Sequence, residues 1–179
     1  MITTKIGLCS LAAVFAIGTS GCGTTPLNEK ALVPRDANLI FPSSGKTCCL
    51  PEIEGRKTGS DFYFYYITTP VLRTAVEGAL THSRLFTSVC TTDEKKADYT
   101  LYVSSLGQPA DGWMTTFALY VRYRLKRNDT GETVFNELIR SECSSKDDVS
   151  GGEKYRLSVE GMTRENLREM LTKLSKVKL

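Results

Sequence analysis

Apolar residues recur along this chain with two dominant periods, and each predicts a different element. Val71, Leu72, Ala75, Val76, Ala79 and Leu80 recur at spacings of one, three and four, which places them on one stripe of a helix over about 70–83. Thr69-Pro70 supplies its start, a capping-type residue followed by a proline suited to the first helical position. A second, longer stripe runs through Tyr155, Val159, Met162, Leu167, Met170, Leu171, Leu174 and Val177, ending near Lys176. Ser150 and Glu153 have the spacing of a capping box ahead of it. Glu160 with Arg164, and Glu169 with Lys173, are expected as i,i+4 pairs on its wet side. The stripe reads as packing against a sheet rather than as a coiled-coil seam.

Between the two helices the period falls to two. Leu85–Cys90 is a short strand, and Ala97–Leu106 alternates with Tyr99, Leu101 and Val103 on one face. Trp113–Leu125 places Phe117, Leu119, Val121, Tyr123 and Leu125 one way and Arg122 and Arg124 the other. Asn128-Asp129-Thr130-Gly131 supplies turn residues, and Thr133–Cys143 returns as the second arm of a hairpin. Ahead of the first helix, Leu39-Ile40-Phe41 reads as a short buried strand and residues 45–60 as a loop. Phe62–Ile67 is strongly β-prone, either a strand or an ordered aromatic segment on the sheet. This order predicts one α+β domain over 37–179, a mainly antiparallel sheet of four to six strands with two helices packed on one face.

The first 21 residues do not belong to that domain. A start containing Lys5, an apolar run from Ile6 to Gly18 and small residues before Cys22 describe a secretory signal. The run is too short to span a membrane, which takes about 20 residues. Ser20-Gly21-Cys22 resembles the bacterial lipoprotein box, although Thr19 stands where leucine is usual; ordinary cleavage at the same bond is the alternative. In that pattern Cys22 becomes acylated, and several acyl chains anchor stably where one does not. Gly23, in place of aspartate, points to the outer membrane, with the domain in the periplasm. Residues 22–36 contain Pro26 and Pro34 and no periodicity. They read as a lipidated tether reaching roughly 45 Å if fully extended.

Composition narrows the function classes. Without the signal, 22 lysines and arginines face 20 acidic residues, which gives little electrostatic reason for a nucleic-acid partner. The single histidine, His82, excludes any mechanism or metal site that needs two. It lies at a helix end, where exposure and helix-end charge explain it; as a catalytic base it would need a serine or cysteine beside it. The chain is therefore read as a non-enzyme without a metal or other cofactor.

Lipidation of Cys22 leaves Cys48, Cys49, Cys90 and Cys143, an even set in an oxidising compartment. A bridge between neighbours would close a strained eight-membered ring, so the adjacent pair is expected to join one cysteine to Cys90 and the other to Cys143. The sequence does not choose the connectivity. Two segments are candidate contact surfaces. One is Phe62, Tyr63, Phe64, Tyr65 and Tyr66, whose five aromatics cannot all bury on an alternating strand. The other is Trp113 with Met114, beside a turn.

A helix from Pro70 to His82, then Ser83-Arg84-Leu85-Phe86, then Ala97-Asp98-Tyr99-Thr100-Leu101 resembles a pattern in small Gram-negative envelope lipoproteins. So do the Thr130-Gly131-Glu132 turn and the closing helix with Glu160-Gly161-Met162 and Asn166-Leu167. That group includes the auxiliary lipoproteins of ABC-type transport systems and the lipoprotein activators of penicillin-binding proteins. The resemblance covers about residues 36–177. It implies an α+β lipoprotein domain that acts by binding other envelope components, and it carries over no catalytic residue. The expected role is an accessory subunit of an envelope transport or assembly system. The alternatives are a regulator of a peptidoglycan synthase and a stand-alone surface lipoprotein binding a host or ligand.

Overall fold

Both hydrophobic stripes meet one face of a five-stranded sheet. The structure, a computed structural model, describes residues 27–55, 60–61, 64–65, 67–107, 116–144 and 151–179. In chain order the elements are α1 (Glu29–Leu32), β1 (Thr47–Cys49), β2 (Ser60–Asp61), β3 (Phe64–Tyr65) and α2 (Thr69–Ser83). They continue with β4 (Ser88–Cys90), β5 (Tyr99–Gly107), β6 (Thr116–Arg127), β7 (Thr133–Ser144) and α3 (Gly151–Leu174). The strand order is β4-β1-β5-β6-β7, with β2 and β3 forming a separate antiparallel ladder. The class is α+β, as the periodicities predict. The sheet is mixed: β5, β6 and β7 form an antiparallel meander, whereas β1 runs parallel to both β4 and β5.

The parallel part was hidden in the sequence. β1 is only Thr-Cys-Cys, inside the segment expected to be a loop, and three residues carry no period. The chain leaves β1, forms α2 and returns parallel as β4, the crossover that parallel pairing requires. Leu39-Ile40-Phe41, expected as a strand, forms a single 3₁₀ turn over Ala37–Leu39 in which Leu39 is buried and Ile40 is 44% exposed.

The core is a single cluster. α2 contributes Leu72, Val76, Ala79 and Leu80, and α3 contributes Val159, Met162, Leu167, Met170, Leu171 and Leu174. They close over Leu101, Val103, Leu119, Val121, Leu125 and Ile139 on the inner side of the meander. Each such side chain contributes roughly 1.5–3 kcal/mol when fully buried. Within this apolar layer Tyr123 Oη donates to Asn166 Oδ1 at 2.8 Å, and both residues are fully buried. The Asn166 amide donates to the Ile139 carbonyl at 3.0 Å and to Ser141 Oγ at 3.1 Å, joining α3 to β7.

The N-terminal segment departs most from expectation. Residues 28–36, expected to belong to an extended tether, dock on the helices. Asn28 caps α1 by accepting from the Lys30 amide, and its own amide donates to Glu160 Oε1 at 2.8 Å. Arg164 Nη1 donates to the Ala31 carbonyl at 3.0 Å, Arg168 holds Asp36 at 2.7 Å, and Leu32 is fully buried. The physical reason is that one buried leucine and a few backbone groups suffice to dock a four-residue helix, too little to show as a period. Only residues 23–26 then separate Cys22 from Leu27, which packs against the core, a reach of roughly 17 Å if extended instead of 45 Å.

The docked segment also redirects an ion pair. Glu160 was expected on the wet side beside Arg164. It is 4% exposed beneath the Asn28 segment and pairs with Arg156 at 2.7 Å. Glu169 and Lys173 pair as expected, at 3.0 Å. Glu153 binds Arg156, while Ser150, the other half of the expected capping box, lies outside the described residues.

The connection from β4 to β5 is fastened by two residues. Asp98 Oδ2 accepts from the Thr47 amide and from Thr47 Oγ1, each at 2.8 Å, and Asn128 Nδ2 donates to the carbonyls of Glu94 and Ala97. The Thr47 amide and hydroxyl, then the Lys46 charge, hold the Asp98 carboxyl below its usual pKa. The Arg168 guanidinium does the same for Asp36. A carboxylate with a depressed folded-state pKa stabilises fully above its unfolded value, about 3.9, and that contribution fades as pH falls through the folded value. The melting temperature is therefore expected to be level near neutrality and to drop below about pH 4. Asp98→Asn should flatten that drop in a pH series of thermal melts; an unchanged profile would deny Asp98 the role.

Candidate interaction surface

Strand alternation sends every second side chain of the meander away from the helices. On β5 these are Tyr102 and Ser104, on β6 Tyr120, Arg122 and Arg124, and on β7 Leu138 and Arg140. The register places Tyr102 beside Arg124, Ser104 beside Arg122, Arg122 beside Leu138 and Tyr120 beside Arg140. They therefore form one patch. No described α-helix packs over it, and Leu138 is 48% exposed on its β7 edge. Leu106, beside a β-bulge at the end of β5, is 57% exposed.

The patch is ordered by its own contacts. The Arg124 guanidinium lies over the Tyr102 ring at 5.2 Å and that of Arg140 over Tyr120 at 5.7 Å, both within cation–π range. Arg140 Nε donates to Tyr120 Oη at 2.8 Å and Arg140 also binds Glu142. Tyr102 Oη donates to Glu94 Oε2 at 3.1 Å; burial first, and this carboxylate second, raise its phenol pKa. Ser104 Oγ donates to Glu54 Oε2 at 2.9 Å. Arg122 is exposed and makes no hydrogen bond or ion pair among the described residues. Such a surface presents held tyrosine rings and arginine donors, residue types enriched at protein–protein hot spots, beside an exposed leucine. Arg122 and Arg124 appear in the sequence only as the polar half of an alternating strand. What that strand does not reveal is that the facing positions of β5 and β7 leave them uncovered.

Two of the seven contact residues expected from sequence are described. Phe62, Tyr63, Tyr66, Trp113 and Met114 lie outside the described residues. Phe64 and Tyr65 form β3, which lies against α3 on the helix side of the sheet.

The other chemical candidates are dispersed. His82 sits in the last turn of α2 beside an open groove of about 500 Å³ lined by Val33, Arg35, Glu77 and Gly78. Its Nε2 is buried without a hydrogen-bond partner among the described residues. Among the described residues no group of three His, Cys, Asp or Glu side chains could hold a metal ion. Of the four domain cysteines, Cys49 and Cys90 are brought together on β1 and β4. Cys48 turns into the core, and Cys143 lies on the opposite side of the sheet order, on β7, against Gly161 of α3.

No protein-family model and no curated protein matches the sequence. Solved structures do match in shape. A hypothetical protein from Chlamydia trachomatis superposes with a TM-score of 0.55 at 10% identity, covering 73% of this chain and 95% of that one. A protein from Xanthomonas campestris, assigned to the family DUF330, gives 0.52 at 12% identity, covering 84% and 89%. The chain has their fold. A lipoprotein from Neisseria meningitidis superposes more loosely, with a TM-score of 0.43 at 10% identity over 74% of this chain and 99% of that one. No described helix is long and apolar enough to cross a membrane.

Proposed function

We propose that this chain is a non-enzymatic envelope lipoprotein, held in the outer membrane through an acylated Cys22 with its domain in the periplasm. It serves as an accessory subunit of a transport or assembly system by presenting the open face of β5, β6 and β7 to a protein partner. The observation that carries the reading is that face: Arg122, Arg124, Leu138 and Arg140 are exposed there beside half-buried Tyr102 and Tyr120, while the helix side of the sheet is used up by the core. The signal segment and Cys22 support the compartment, and the short span between Cys22 and Asn28 keeps the domain near its membrane.

Affinity capture from cross-linked envelopes of the native host, with full-length wild type, Cys22→Ala and Arg122→Glu/Arg124→Glu, tests this. Wild type should fractionate with the membrane and recover a stable envelope partner, and Cys22→Ala should move to the soluble fraction. The double charge reversal should stay membrane-bound and keep its melting temperature while recovering at least roughly tenfold less partner. Equal recovery by that variant would remove the sheet face from the reading. A peptidoglycan synthase as the partner would select the regulatory role, and recovery of none would favour a stand-alone surface lipoprotein.

A further inference from the structure

We propose that Cys49 and Cys90 are a dedicated disulfide pair that staples β4 to β1, a bridge in which neither Cys48 nor Cys143 takes part. Cys49 and Cys90 are register partners on adjacent parallel strands. Neighbouring strands run about 4.8 Å apart, inside the 4.4–6.8 Å Cα separation that a disulfide spans. Alternation turns both side chains to the same side, away from the helices. The β4–β5 connection covers them: the Asp93 carbonyl accepts from Cys90 Sγ at 3.6 Å, and Cys49 is fully buried while Cys90 is half-buried.

The same geometry excludes the other pairings. Cys48 is the register partner of Val89, so it faces the core, with Sγ against the Cys49 carbonyl at 3.7 Å. Cys143 on β7 is three strands from β1, roughly 14 Å at ordinary strand spacing and beyond any disulfide. Burial pushes the Cys49 thiol up to about 12, with the neighbouring Cys90 sulfur as the second cause. Cys49 is therefore neither a ready metal ligand nor a fast nucleophile, which suits a structural role.

The chemistry is thiol–disulfide exchange with an oxidant of the disulfide class, a protein disulfide in an oxidising envelope or oxidised glutathione in a test tube. The accessible Cys90 loses its proton and attacks one oxidant sulfur, forming a mixed disulfide and expelling the other sulfur as a thiol. Cys49 then loses its proton, attacks the Cys90 sulfur and expels the second oxidant thiol. Two electrons and two protons leave the pair, and the oxidant ends as two thiols. The closed loop, residues 49–90, holds β2, β3, α2 and β4. β4, a three-residue edge strand bonded only to β1, gains the most from the staple.

The test uses the full chain extracted from host envelopes, and the same material reduced and re-oxidised with oxidised glutathione. Free thiols are alkylated under denaturing conditions, the protein is digested without reduction, and cross-linked peptides are mapped by mass spectrometry for wild type, Cys48→Ala, Cys49→Ala and Cys90→Ala. Wild type and Cys48→Ala should yield a peptide containing residue 49 joined to one containing Cys90, with Cys143 alkylated; Cys49→Ala and Cys90→Ala should not. Adding reductant should lower the wild-type melting temperature by roughly 10 °C and leave that of Cys49→Ala unmoved. A link through Cys48, a link to Cys143, or full alkylation of Cys49 and Cys90 in the glutathione-treated wild type overturns the proposal. The glutathione arm makes that outcome independent of where the chain resides in the cell.

Discussion

Replacing Asn166 by alanine is expected to cost about 3 kcal/mol and to lower the melting temperature by roughly 6–12 °C. Asn166 is the polar hub of an otherwise apolar contact between α3 and the sheet. Its Oδ1 accepts from Tyr123 Oη, and its Nδ2 reaches the Ile139 carbonyl, Ser141 Oγ and, at 3.5 Å, the Leu119 carbonyl. Alanine removes both halves at once. The Tyr123 hydroxyl, wholly buried, loses its acceptor, and leaving such a group unsatisfied costs about 1–3 kcal/mol, beyond the lost packing. Tyr123→Phe should cost less, because it deletes the donor itself. The pair Tyr123→Phe/Asn166→Leu should be destabilised by less than the sum of its singles, since matched apolar groups replace both partners. Denaturant unfolding of wild type, Asn166→Ala, Asn166→Leu, Tyr123→Phe and the double variant measures this; a loss under about 1 kcal/mol for Asn166→Ala would deny the network its weight.

Gly55→Ala is expected to be nearly as damaging, at about 3 kcal/mol, although residue 55 is exposed. Two independent causes add. Gly55 has φ +141°, a conformation that side chains rarely adopt, worth about 1–3 kcal/mol. A Cβ there would also stand 2.9 Å from the Ser105 carbonyl oxygen and 3.0 Å from Ser105 Cβ. The first of these is backbone and cannot swing away. The Glu54 amide donates to Val103 and its carbonyl accepts from the Ser105 amide, so this approach fastens residues 53–55 along the edge of β5. Gly45→Ala is the control. It has φ +73° but open space around the added methyl, so it should show the backbone cost alone, about 1 kcal/mol. Equal losses at 45 and 55 in thermal melts would refute the steric part. The Ser104–Glu54 bond lies on the open sheet face, so a destabilised 53–55 segment should also weaken partner capture.

The antiparallel half of the fold was readable because its elements are long. β6 and β7 each span 12 residues, enough for alternation to name the buried side, and Tyr123 and Leu125 are buried as that pattern predicts. The parallel half is made of three-residue strands, and its pairing is long-range. Nothing local in Thr47-Cys48-Cys49 announces a strand that needs β4 and β5 on either side to exist. The docked segment around Asn28 escaped for the same reason, and with it the burial of Glu160. The helix stripe marks which residues of α3 meet the sheet, but it carries no information about a segment arriving from the other end of the chain.

The candidate site divides along similar lines. Aromatic density drew attention to Phe62–Tyr66, yet composition says nothing about which face of a sheet stays uncovered. That depends on helices packing on one side only, which turned the polar half of β6 into a patch with Tyr102 and Leu138. Local order set both amphipathic helices and the hairpin, and it carries the expectation of an export signal with a modifiable Cys22, because charge, turn chemistry and short periods act between residues near in sequence. Strand order, the meeting of Cys49 with Cys90, the buried Asn166 hub and the open basic-aromatic face came from packing. Each depends on residues well separated in the sequence, brought together by burying both helix stripes on one side of the sheet.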